Sequence, residues 1–179
     1  MAERVTSHRW QFRLLFAALA FAVIFTRLLP IDAGPGRLPG PDVMFLIAIA
    51  WVLRRPAYVP VALVAAVFLM MDVLFLRPLG LWAACVVVAI EVLRTREAQW
   101  RDLPFLLEWM LVGFVIAATS IAYIAILTLF AADQPSFGLT LLQMLITILC
   151  YPLAVFFSVA FLGLRKVVPG AVDQLGRRV

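Results

Sequence analysis

PDVMFLIAIAWVLRRPAYVPVALVAAVFLMMDVLFLRPLGLWAACVVVAIEVL, residues 41–93, holds three apolar runs joined by two very short connections. The first connection is the basic turn Arg54-Arg55-Pro56, and the second is Arg77-Pro78-Leu79-Gly80. One carboxylate, Asp72, lies inside an apolar run just before the second turn. Asp42 follows Pro41 and is placed to cap the helix that opens there. That run ends at Leu53, so its helix covers only about 18 Å at 1.5 Å per residue. A helix that short has to extend through Arg54 by snorkelling, tilt, or be shielded by neighbours.

The same character extends to both ends of the chain. Of its 179 residues 65% are hydrophobic and the mean hydropathy is +1.07, against about half apolar for a soluble domain. Too little polar surface exists to cover a water-soluble globule, so lipid is the expected solvent. The expected fold class is an all-α membrane protein, one integral membrane domain over residues 1–179. Apolar patterning places helices at about 12–29, 42–54, 58–76, 78–93, 104–130 and 139–164. The basic start and apolar run to Leu29 resemble a signal peptide, but Ile31-Asp32-Ala33 makes a poor cleavage site. The first run is therefore read as an uncleaved transmembrane helix, with Arg27 snorkelling near its far end. Residues 30–41, PIDAGPGRLPGP, form a turn-rich loop. The tail after Leu164 lies on the membrane or is disordered.

Charge tests the topology. The net charge is +5, and Lys166 is the single lysine. With six spans and both termini in the cytoplasm, basic residues 4, 9, 13, 54, 55, 94, 96, 101, 165, 166, 177 and 178 lie inside, twelve of the fifteen. Arg27, Arg37 and Arg77 lie outside. This is the positive-inside distribution, and it accounts for the basic balance without a nucleic-acid partner.

Ionisable groups inside a membrane are the first functional candidates. Asp72 is either a polar anchor, pairing with Arg27, Arg77 or a partner protein, or a cap on the helical hairpin. Glu91 lies three residues before Arg94, so a local ion pair is expected. Glu108 is expected to reach the cytoplasmic interface toward Arg101. Thr119, Ser120, Gln143 and Thr147 are expected to make interhelical hydrogen bonds. Cys85 and Cys150 read as small buried hydrophobes, and the tryptophans, Trp51 among them, as interfacial anchors. Small residues at four-residue spacing, Ala18/Ala22, Ala62/Ala66, Gly113/Ala117 and Ala118/Ala122, suit internal packing or a partner-helix face. His8 is the only histidine, and no Gly-rich phosphate loop, GxSxG or CxxC occurs. Neither a cofactor, a metal site nor a catalytic constellation is expected.

Pro41-Asp42, an apolar run with Trp51, Pro56, an apolar helix ending in Asp72, and then Leu79-Gly80 together resemble the rod shape-determining protein MreD family. The resemblance spans Pro41 to Gly80; elsewhere helix number, the N-in topology and basic ends agree. The family places glycines in the third helix and between the Asp and the Leu-Gly, where this chain has Val64, Phe68 and Leu76. The resemblance implies a non-enzymatic scaffold of the bacterial cell-elongation machinery in the inner membrane, supporting lateral peptidoglycan synthesis. It implies MreC as partner, with MreB, RodA and its transpeptidase as further members. It also implies a bundle similar to the S components of energy-coupling-factor vitamin transporters. The residues it marks are Pro41, Asp42, Trp51, Asp72, Leu79 and Gly80.

Two rival readings follow. An S component would capture a vitamin-like solute, with residues 30–41 as a lid and Ala18/Ala22 against the coupling protein. The sequence shows no cluster of polar residues that would face a cavity, which such a site needs. A lipid-modifying enzyme would need paired acidic metal ligands, and no such motif is present.

Overall fold

Val43–Arg54, the shortest of the apolar runs, is a helix buried from Met44 to its end. The computed structural model describes residues 2–29, 39–100, 103–131 and 136–160, with side chains described from residue 9 onward. The element order is α1 (Ala2–Leu28), α2 (Val43–Arg54), a 3₁₀ turn (Pro56–Tyr58), α3 (Val61–Leu74), α4 (Leu81–Thr95), a one-turn α5 (Glu97–Trp100), α6 (Phe105–Leu129) and α7 (Phe137–Ala160). No strand occurs among the described residues. Three helices, Arg9–Leu28, Phe105–Leu129 and Phe137–Ala160, are long and apolar enough to cross a membrane. Val43–Arg54 and Val61–Leu74 are shorter apolar helices.

Every residue of α2 from Met44 to Arg54 is buried. The helix packs against α1, α4 and α7, and these neighbours supply the shielding that its length demands. Most of its side chains are aliphatic or aromatic all round, the pattern of a helix with no solvent face. Outer faces of the surrounding helices stay apolar, as Phe21, Phe114 and Leu153 illustrate. An apolar exterior over a closed set of backbone hydrogen bonds suits lipid.

The helices alternate in direction. Arg27 near the end of α1 donates to the Pro41 carbonyl before α2, and Asp72 near the end of α3 meets the start of α4. At the opposite end, the Phe12 ring of α1 stacks on Tyr58 at 4.4 Å. There too Arg94 of α4 donates to the Val59 carbonyl, and Arg54 of α2 meets Glu108 of α6.

Several element ends differ from the sequence expectation. The third helix begins at Val61 rather than 58, because Pro56–Tyr58 closes as a 3₁₀ turn. The fourth begins at Leu81 rather than 78; Pro78 lies in the turn, and Leu81 N–H bonds its carbonyl at 3.1 Å. The first extends back to Ala2. The end of the sixth beyond 160, residues 30–38 of the turn-rich loop, Arg101 and the basic tail lie outside the described residues.

Pro152 sits inside α7. Having no N–H, it leaves the carbonyl four residues back, that of Ile148, without its helical partner. Trp109 of α6 supplies the missing donor, its Nε1–H reaching Ile148 O at 2.8 Å. Beside it Gly113 faces α7, with the Ile148 side chain 3.4 Å from where a Cβ would stand. Trp109 is thus a helix-to-helix tie rather than only an interfacial anchor.

Trp51 departs further from the anchor expectation. It is fully buried, with Phe16 edge-on at 5.5 Å and Phe12 at 6.1 Å. Trp10, by contrast, is exposed. Trp51→Ala is expected to cost about 3–5 kcal/mol through lost packing. Trp10→Ala should stay within roughly 0.5 kcal/mol of the parent. Thermal unfolding of both variants in detergent checks this, and equal midpoints would contradict the buried placement.

Candidate functional site

The two acids marked by the sequence pattern do the same job at two helix starts. Asp42 is the N-cap of α2, its Oδ1 accepting the Phe45 N–H at 3.1 Å. Its own N–H donates to Thr147 Oγ1 at 3.1 Å, tying α2 to α7. Helix α4 begins at Gly80, which has no side chain to cap with and takes φ +77°. Asp72 fills the role from the preceding helix: its Oδ2 accepts the Ala83 N–H at 3.1 Å. Both carboxylates also face the positive end of a helix dipole. Of the two readings of Asp72, the geometry is that of the hairpin cap. Arg77 makes no salt bridge among the described residues; its guanidinium lies over the Phe75 and Trp82 rings, 5.7 Å from each centroid. Arg27 is engaged at Pro41.

The turn between α3 and α4 closes with Leu76 N–H to Val73 O at 3.4 Å and Arg77 N–H to Asp72 O at 3.0 Å. This pattern ends a helix on one left-handed residue, usually glycine. Here that residue is Leu76, at φ +53° and almost fully exposed. It is one of the positions where the resembling family carries glycine. Leu79 is also exposed on this turn, and Pro41 is partly buried at the mouth of α2.

A second polar centre sits at the other end of α2. Arg54 lies 3.0 Å from Glu108, both side chains almost sealed from solvent. Arg54 also donates to the Ala50 carbonyl at 3.0 Å, and the Tyr151 hydroxyl donates to Glu108. One guanidinium, one carboxylate and one phenol therefore tie α2, α6 and α7. This corrects one expectation, since Glu108 is buried against Arg54 instead of reaching the interface. Of the alternatives for the short α2, shielding by neighbours is the one found, with Arg54 turned inward. Glu91 and Arg94 pair as expected, 2.8 Å apart.

Two hollows remain. A cavity of about 340 Å³ opens between the start of α2, the α3–α4 turn, α6 and α7. Asp42, Arg77, Ser120, Tyr123, Gln143 and Thr147 line it beside Phe45 and Trp82. Polar residues scattered along the sequence do therefore gather around a cavity, contrary to expectation. A shallow apolar groove of about 440 Å³ runs between α4 and α6, floored by small residues including Ala84, Ala89, Ala118 and Ala122. Gly113 packs inside the bundle, whereas Ala18, Ala22, Ala62 and Ala66 are exposed. No group of three or more metal-ligating side chains occurs among the described residues.

Removing one member of a buried ion pair strands the other, at roughly 3–5 kcal/mol. Arg54→Leu and Glu108→Leu are each expected to lower stability by about that much. The double variant Arg54→Leu/Glu108→Leu should recover most of the loss. Thermal melts of the three variants in detergent make the cycle; strictly additive losses would show the two groups to be uncoupled.

No protein-family model, no curated protein and no solved structure matches the chain.

Proposed function

We propose that this chain is a membrane scaffold of the bacterial cell-elongation machinery, of the kind MreD proteins are. It crosses the inner membrane six times with both termini in the cytoplasm, in a bundle similar to a transporter S component. It holds the single-span partner MreC by intramembrane helix contact and so supports lateral peptidoglycan synthesis alongside MreB, RodA and its transpeptidase.

The observation that carries this reading is the groove between α4 and α6. Its floor of Ala84, Ala118 and Ala122 lets a partner backbone come close, and in lipid such close packing drives helix association. The pattern residues support it indirectly. Asp42, Trp51, Asp72 and Gly80 hold α2 and α4 in place, which fixes one wall of the groove. The described buried acids serve structural contacts: Asp42 and Asp72 cap helix starts, and Glu108 is paired with Arg54.

A tagged copy purified from the native bacterium in mild detergent is expected to bring MreC and wall-synthesis proteins in near-stoichiometric amounts, read by mass spectrometry. Ala118→Trp with Ala122→Trp, filling the groove from the lipid side, should remove MreC while leaving the chain folded. Recovery of an energy-coupling membrane protein with two ATPases instead would overturn the scaffold reading in favour of solute uptake. In cells, Asp72→Leu should disturb rod shape more than Glu91→Leu, because Glu91 makes only a partly exposed local pair with Arg94. Normal rods at normal levels of the Asp72→Leu protein would remove Asp72 from the site.

A further inference from the structure

The scaffold reading leaves the cavity at the Asp42 end without a purpose, and its chemistry is lopsided. Four donor groups in its wall make no hydrogen bond among the described residues: the Arg77 guanidinium, the hydroxyls of Ser120 and Tyr123, and the Gln143 amide. Trp82, more than nine-tenths buried between Phe45 at 5.7 Å and Tyr123 at 5.2 Å, forms an apolar backing to this wall. Arg77 and the half-buried polar groups beside it converge on one cavity, so an acceptor-rich group suits it. Against these donors stands one carboxylate, Asp42. Its Oδ1 is used by the Phe45 N–H, and its Oδ2 makes no hydrogen bond among the described residues.

Many donors around an arginine, with a single carboxylate in the same wall, suit a compact zwitterion: a phosphate carrying an ammonium. We infer that the cavity binds the headgroup of a zwitterionic phospholipid such as phosphatidylethanolamine. Its phosphate is held by Arg77 with Tyr123 and Gln143, and its ammonium by Asp42. The volume, about 340 Å³, falls at the lower end of small-molecule sites and suits a headgroup without its acyl chains. The cavity opens beside Leu76, Arg77 and Pro78 of the α3–α4 turn and runs inward to Ile116 and Thr147. In a bundle set across a bilayer such a turn marks the headgroup level.

The test is native mass spectrometry of the full chain in detergent, titrated with phosphatidylethanolamine, phosphatidylglycerol and water-soluble glycerophosphoethanolamine. Phosphatidylethanolamine should bind saturably and about tenfold more tightly than phosphatidylglycerol. Arg77→Gln should weaken it by about tenfold or more. Asp42→Asn keeps an N-cap for α2 while removing the charge, so it should abolish the preference between the two lipids. It remains informative if loss of the Arg77 stacking disturbs folding. Equal retention of both lipids by the parent chain, or an unchanged preference in Asp42→Asn, would overturn the proposal. Glycerophosphoethanolamine binding as tightly as the lipid would show the same chemistry serving a soluble ligand and overturn the lipid assignment. None of these readouts involves MreC, so the scaffold reading stands or falls separately.

Discussion

Arg54 and Glu108 meet 3.0 Å apart where almost no solvent reaches either side chain. In such surroundings a lone charge is far more costly than a pair, so the position of each helix is tied to the other. The constraint behind the pair is the length of α2. Its twelve residues are too few to bring both ends to water, so both ends must be satisfied from within. Thr147 receives the Asp42 N–H at one end, and Tyr151 donates to Glu108 at the other. One helix, α7, thus serves both termini of the buried one.

The same accounting of unpaired backbone groups explains features that look unrelated. Gly80 starts α4 without a capping side chain, and Asp72 supplies the cap. Pro152 frees a carbonyl, and Trp109 takes it. Where no water competes, each orphaned group needs a named partner. In this bundle the partner often comes from the next helix, so local flaws in one helix become contacts between two.

How far the sequence carries follows from the range of each interaction. Asp42 as a cap and Glu91 with Arg94 depend on neighbours three residues apart, and both were legible. The existence of the helices was legible too, from runs of apolar residues. Their ends shifted where Pro56 and Pro78 made local turns instead of opening helices. The Arg54–Glu108–Tyr151 centre was not legible, because it joins residues 43 and 54 positions apart. Nor was the cavity: Ser120, Gln143 and Asp42 share a wall only through the order in which α2, α6 and α7 pack. Trp51 was misjudged because its place near a run's end suggested the interface, while the shortness of that run put it in the core.

The brevity of α2 also bears on how the chain is made. A twelve-residue segment followed by Arg54 and Arg55 is a poor candidate for stable residence in lipid by itself. Its place in the bundle depends on neighbours that leave the ribosome later. Helices α3 and α4 follow at once, but Thr147 and Tyr151 arrive only with α7. The centre of the bundle is therefore among its first parts to be synthesised and among the last to be secured. Truncation before α7 leaves an open core rather than a smaller finished protein.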